Sequence, residues 1–258
     1  MYLQLAKCIF SQQFQYRESV LFKLIGNFLR VYIQICIWRA LLLYQDSGVG
    51  FSDMVLYTVA SFILGQLSST SVASELSDKV KSGSIAIDLI RPVSLKWYLF
   101  WEQISANLFQ LLFAGMPVVL FVFLIWTPAA LGGLHMLLAA VSAALAVMLV
   151  FYLQYTIGLL VFWFKDGTYA RMLTNGLIDL FSGRVIPLWF YPAFLMGICE
   201  FLPFRFMVYE PIAILLGRYE LRQTCYTIGM QIFCVLVFTI LEKYIWHRVQ
   251  TQIEVQGG

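Results

Sequence analysis

Six long apolar runs dominate the chain, at Phe22–Tyr44, Met54–Ser74, Trp97–Trp126, Leu134–Phe164, Met172–Ile186 and Tyr226–Trp246. Crossing about 30 Å of hydrocarbon takes roughly 20 residues at 1.5 Å per residue, and every run but the fifth is long enough. The runs are continuous, without the period-two alternation of a membrane barrel strand, so each reads as a helix. With 61% hydrophobic and 12% charged residues and a mean hydropathy of +0.81, the chain lies far from the composition of soluble domains. The predicted fold is all-α, one polytopic membrane domain over residues 1–258 with six transmembrane helices.

Charge placement orients it. Lys7, Arg17 and Lys23 accompany the start of the first run, and Lys79, Lys81, Arg91 and Lys96 lie between the second and third. Lys165 and Arg171 precede the fifth, and Lys243 and Arg248 lie at the end of the last. The loops around Asp46 and Thr127 carry no cation, while Arg184, Arg205, Arg218 and Arg222 share one long segment. By the positive-inside rule both termini and the loop 77–94 are cytoplasmic. Residues 1–21 mix Gln4, Lys7, Gln12 and Arg17 with apolar positions and show no signal-peptide core, so a retained interfacial amphipathic helix is expected. The loops leave no room for a soluble catalytic domain. Cys36 and Cys234 fall within runs as small core residues, and a Cys199–Cys225 pair stays open.

No phosphate-binding Gly-x-x-x-x-Gly-Lys-Ser/Thr loop occurs, nor any Gly-Lys pair, so energy from ATP would have to come from another chain. Only His135 and His247 are present, without zinc-protease spacing or a serine-hydrolase elbow, so no catalytic residue, metal site or cofactor is expected. Nucleic acid is not expected as a partner; the bilayer is.

Within the first run Asn27, Arg30, Gln34 and Trp38 recur with Lys23 along one helix face, and Arg171, Asn175, Asp179 and Ser182 do the same in the fifth. A charge near the bilayer centre costs roughly 2.5–3.5 kcal/mol on insertion scales, so such residues face protein or water. Arg30 and Asp179 lie at similar depths, where they can meet as an ion pair. The stripes read either as the lining of a translocation path or as interhelical glue. Ala139, Ser142, Ala143 and Ala146 form a small-residue stripe that reads as a packing face.

Pro187, Pro192, Pro203 and Pro211 sit among aromatics in the segment SGRVIPLWFYPAFLMGICEFLPFRFMVYEPIAILLGR, residues 182–218. Proline at this density forbids one straight helix, and the aromatics favour a membrane interface. Residues 184–224 are therefore expected to form extracytoplasmic re-entrant helices before the last span.

The ordered set GSIAIDLIRP (83–92), Phe162-Trp163, SGRVIPLWFYP, FLPFRFMVYEP, ILLGR and the terminal VQGG resembles ABC type-2 permeases, in particular the antibiotic and multidrug exporter subgroup. A departure is Tyr191 before Pro192, where Phe is expected. The resemblance implies a permease of the bacterial cytoplasmic membrane with a cytoplasmic connecting helix at residues 1–21. It implies a second permease, identical or different, and a dimer of ATPase subunits that bind ATP and magnesium. It also implies that a coupling helix in 77–94 transmits ATPase motion for export of a hydrophobic or amphiphilic drug, antibiotic, peptide or lipid-like cargo. The residues assigned to that coupling are Lys79, Lys81, Ser82, Gly83, Ser84, Ile85, Asp88, Leu89, Arg91 and Pro92. On the residues' own physics, Ser82 or Ser84 caps a short helix, Gly83 turns into it and Pro92 ends it, which makes a knob for a partner's groove. A solvated loop that only fixes topology is the plainer alternative. For the whole chain, the alternatives are an ion-coupled transporter using Arg30 and Asp179, or a non-transporting scaffold.

Overall fold

In the computed structural model the described residues are 2–44, 48–90, 93–126, 132–164 and 168–250; among them are helices and turns and no strand. Five helical stretches are long and apolar enough to cross a membrane: Glu18–Tyr44, Phe51–Lys81, Leu95–Ile125, Gly133–Trp163 and Leu221–Val249. The protein is an all-α, polytopic membrane protein.

The chain opens with α1 (Tyr2–Gln12), which passes through a 3-10 turn at Gln13–Tyr16 into α2 (Arg17–Tyr44). The connecting helix expected over 1–21 thus ends at Gln12. It docks through Phe10 and Phe14, whose rings meet Phe109 edge-on at 5.2 and 5.0 Å. Helix α2 buries Val31, Ile35 and Trp38, one face at 3.6-residue periodicity, and leaves most of its surface exposed. Only 11% of its most apolar stretch is buried, against 61% for Phe51–Lys81, so α2 is a rim helix and α3 (Phe51–Leu67) a central one.

The central rod breaks at residues 68–71 before α4 (Val72–Lys81). The break is held from α6 (Leu95–Gln110), where Asn107 Nδ2 donates to the Leu67 carbonyl at 2.8 Å and the Ser69 carbonyl at 2.6 Å. After α6 the helix widens into a π turn at Leu111–Gly115 and resumes as α7 (Met116–Ile125). Pro117 explains the turn: it cannot donate to the carbonyl four residues back, and its ring crowds it. Asn27 Nδ2 donates to the Ala114 carbonyl there at 3.1 Å, and Asn27 Oδ1 accepts from Gln66.

Helices α8 (Gly133–Leu159) and α13 (Leu221–Gln250) pack along each other. The small-residue stripe is the packing face it was read to be, with Ala139, Ser142 and Ala146 buried. Ser142 Oγ bonds Gln231 Oε1 at 2.8 Å, and Gln231 Nε2 donates to the Phe206 carbonyl at 2.9 Å. Cys199 is buried, Cys225 is exposed, and both are free thiols.

The fifth run departs from expectation. After α9 (Val161–Phe164), α10 spans only Thr168–Phe181, about 21 Å at the helical rise, and stops before Ile186. The cause is Gly183, whose φ of 78° lies in the left-handed region, and where a Cβ would stand 3.0 Å from the Tyr57 hydroxyl. Gly183→Ala should therefore cost about 1–2 kcal/mol from the backbone alone. The expected outcome is a lower unfolding temperature in detergent, read by thermal-shift fluorescence, with a smaller drop for Tyr57→Phe, which loses one hydrogen bond and keeps the turn.

Candidate functional site

Two places gather most of the candidate residues. At one end of the bundle, α4 leads through Ser82 and Gly83 to α5 (Ile85–Ile90). The Ser82 hydroxyl donates to the Asp78 carbonyl at 2.8 Å, and the Ser82 and Ser84 hydroxyls lie 2.9 Å apart. Gly83, with φ 71°, makes the reversal. Lys79 fastens the short helix: its Nζ lies 2.9 Å from Asp88 and 3.1 Å from Glu75, with the Tyr98 ring 5.2 Å away.

The short helix has an inner and an outer face. Ile85 is 6% exposed and packs with Val72, Leu76, Leu95 and Leu99, while Asp88 turns inward to Lys79. Ile87 is 63% and Ile90 84% exposed, one helical turn apart on the outer face. Of the residues assigned to coupling, Lys79, Ile85 and Asp88 thus hold the helix in place, and Lys81 is exposed. The side chain of Leu89, and Arg91 and Pro92 entirely, lie outside the described residues. Sequence reasoning missed Ile87 and Ile90 as the outward pair, because in six residues their three-residue spacing does not tell them from Ile85.

The second place is a cavity of about 600 Å³ between α2 and the segment Val185–Phe190. Arg30, Gln34 and Trp38 from the α2 stripe line it with Ile37, Leu41 and Phe190. Gln34 Nε2 donates to the Val185 carbonyl at 3.0 Å, Trp38 Nε1 to Thr58 Oγ1 at 3.0 Å, and the Trp38 and Phe190 rings stack at 5.7 Å. Asn27, at the other end of the stripe, is turned to Ala114 and Gln66 and acts as glue.

The residues chosen on α10 do not line this cavity. Asn175 accepts from Gln154 at 2.8 Å, and Ser182 is buried with its carbonyl accepting from the Tyr209 amide at 3.0 Å. Asp179 pairs with Arg184 at 3.2 Å, so the Arg30–Asp179 pair anticipated from depth is replaced. The reason is the early end of α10: the reversal at Gly183 brings Arg184 back beside Asp179, five residues away. Arg184 also donates to the Gly65 carbonyl at 3.1 Å.

Beyond it, each proline stands where a short element begins. Pro187 precedes the turn Leu188–Phe190, Pro192 precedes α11 (Ala193–Phe201), Pro203 opens the turn Pro203–Met207, and Pro211 lies in the first turn of α12 (Tyr209–Leu215). The segment doubles back until Tyr209 meets Ser182. Arg205 and Glu210 form a salt bridge whose carboxylate is 1% exposed; Arg205 Nε donates to Glu210 Oε1 at 2.7 Å and Thr227 reaches the other oxygen.

A family model described as ABC-2 family transporter protein matches residues 28–257. A search of curated proteins finds no match.

The pairing of Asp179 is open to a double-mutant cycle. Asp179→Asn and Arg184→Gln should each lower thermal stability, and the double variant should lose less than the sum, because neither charge is left alone.

Proposed function

Because the chain belongs to the ABC-2 transporter family, we propose that it is the permease subunit of an ATP-driven exporter, worked by separate ATPase subunits that hold the nucleotide and its magnesium. The observation that carries the coupling is the two-faced α5, pinned to α4 by the Lys79–Asp88 pair while Ile87 and Ile90 stand exposed. An apolar pair on a short, rigidly held helix suits a groove on a soluble protein. The cations of residues 77–94 support a cytoplasmic position for that helix and for both termini by the positive-inside rule.

A second permease, identical or different, would cover the sides of α2 and α10 on which Arg30 and Asn175 are exposed, since polar groups in the hydrocarbon face protein or water. The translocation path then runs along the α2 cavity. Its apolar walls favour a hydrophobic or amphiphilic cargo, a drug, antibiotic, peptide or lipid-like molecule. The doubled-back segment 184–224, with Pro187, Pro192, Pro203 and Pro211, forms the re-entrant closure on the outward side. The engagement of Asp179 by Arg184 supports this reading over an ion-coupled mechanism through Arg30 and Asp179. The bacterial cytoplasmic membrane is the location that fits this reading.

Ile87→Asp or Ile90→Asp should lower co-purification of the partner ATPase by roughly tenfold while leaving expression and monodispersity intact. Ile85→Asp should instead lower expression, because it places a charge in a buried cluster. Undiminished ATPase capture and export by Ile87→Asp would reduce α5 to a topology signal.

A further inference from the structure

We infer that the cavity between α2 and Val185–Phe190 binds an anionic amphiphile, its carboxylate or phosphate held by Arg30 and its chain by Ile33, Ile37, Leu41 and Phe190. Among the described residues Arg30 is the one formally charged residue in the lining, and the rest is apolar apart from Gln34 and the indole nitrogen of Trp38. Those two groups are engaged with the protein, Gln34 Nε2 with the Val185 carbonyl and Trp38 Nε1 with Thr58. Arg30 is different. It lies near the middle of the 27-residue apolar stretch Glu18–Tyr44, and among the described residues no carboxylate pairs with it.

The nearest acid by depth, Asp179, is bridged by Arg184, which is itself close enough to Arg30 for the two cations to repel. Two cations and one carboxylate leave the region net positive. A guanidinium in an apolar wall gains most from an anion that brings its own apolar body, and its planar fork suits a carboxylate or phosphate. From Arg30 to Leu41 the lining runs about 16 Å along α2, room for a chain lying parallel to the helix. A volume of about 600 Å³ is that of an ordinary small-molecule site. This deepens the reading of the chain as an exporter by naming the charge of its ligand.

The test uses the full chain, without ATPase, in phosphatidylcholine nanodiscs, with the fluorescent fatty acid cis-parinaric acid and its methyl ester as probes. The acid should bind about tenfold more tightly than the ester, and Arg30→Gln should bring the acid down to the ester's affinity. Ile37→Trp, which keeps Arg30 and fills the cavity, should weaken both. Equal binding of acid and ester to the unaltered chain overturns the inference, as does an acid preference that survives Arg30→Gln. So does undiminished binding of both probes to Ile37→Trp. If Arg30 instead pairs with a carboxylate of a second copy, Arg30→Gln lowers the dimer fraction in mass photometry without touching the acid preference, which also overturns it. Adding phosphatidylglycerol separates the sources: displacement of the acid supports the site with a bilayer lipid as its anion, and retention of the acid supports it with a free amphiphile. Since no ATPase is present, failure here leaves the ATPase-capture result standing, and failure of capture leaves this result standing.

Discussion

The backbone from Ser182 to Val185 is not helical, yet it is packed against a central helix, and satisfying its carbonyls is the constraint on which the rest depends. Each carbonyl has a donor. Tyr209 N–H serves Ser182, the Tyr57 hydroxyl serves Gly183 at 2.5 Å, the Ser61 hydroxyl serves Arg184 at 2.8 Å, and Gln34 serves Val185. Away from water such groups must be paired inside the protein, so these four donors decide where the chain is allowed to leave the helix. They also tie three elements to one spot: α3 through Tyr57 and Ser61, α2 through Gln34, and α12 through Tyr209.

Much follows from the site of that reversal. Ending α10 at Phe181 sends Arg184 back to Asp179, and that pairing releases Arg30 to face the cavity. It also fixes the wall opposite α2, since Val185–Phe190 leaves the reversal directly, with Phe190 stacked on Trp38. The return of the Pro-rich segment through Tyr209 to Ser182 depends on the same turn, and the buried Glu210 lies one residue beyond Tyr209 with Arg205 and Thr227 as partners.

The apolar runs made the long helices legible, because hydropathy over twenty residues measures the same quantity that burial in a bilayer selects. The fifth run misled for a definite reason: Val185 and Ile186 are as apolar as a helix interior, and hydropathy does not register the positive φ of Gly183. Depth along each helix could be counted from sequence, and so Arg30 and Asp179 looked like partners; the lateral position of Arg184 depends on a turn that only three-dimensional packing reveals. On α2 the polar stripe was visible, but its division into Asn27 as glue and Arg30, Gln34 and Trp38 as lining follows from the π turn at Ala114 and the wall at Val185. In α5 six residues are too few for a periodicity to tell Ile85 from Ile87, and the contacts with α4 and α6 make the distinction.

The two candidate places share a single helical rod. Phe51–Lys81 carries Tyr57, Thr58, Ser61 and Gly65, which hold the cavity wall and Trp38, and at its far end Lys79, which holds α5. On the proposed function, a displacement of α5 by an ATPase passes through the Lys79–Asp88 pair to α4 and must cross the break at residues 68–71 to reach α3. Asn107 bridges that break by bonding the carbonyls of Leu67 and Ser69, and Gln103 Oε1 accepts from the Ser71 amide at 3.3 Å. The break is therefore a joint clamped by α6 rather than a slack linker. A joint of this kind lets α4 tilt only with α6, so on that reading motion at α5 reaches the cavity as a coupled shift of α3 and α6, and α3 holds the wall at Gly183 and Arg184 through Tyr57 and Ser61.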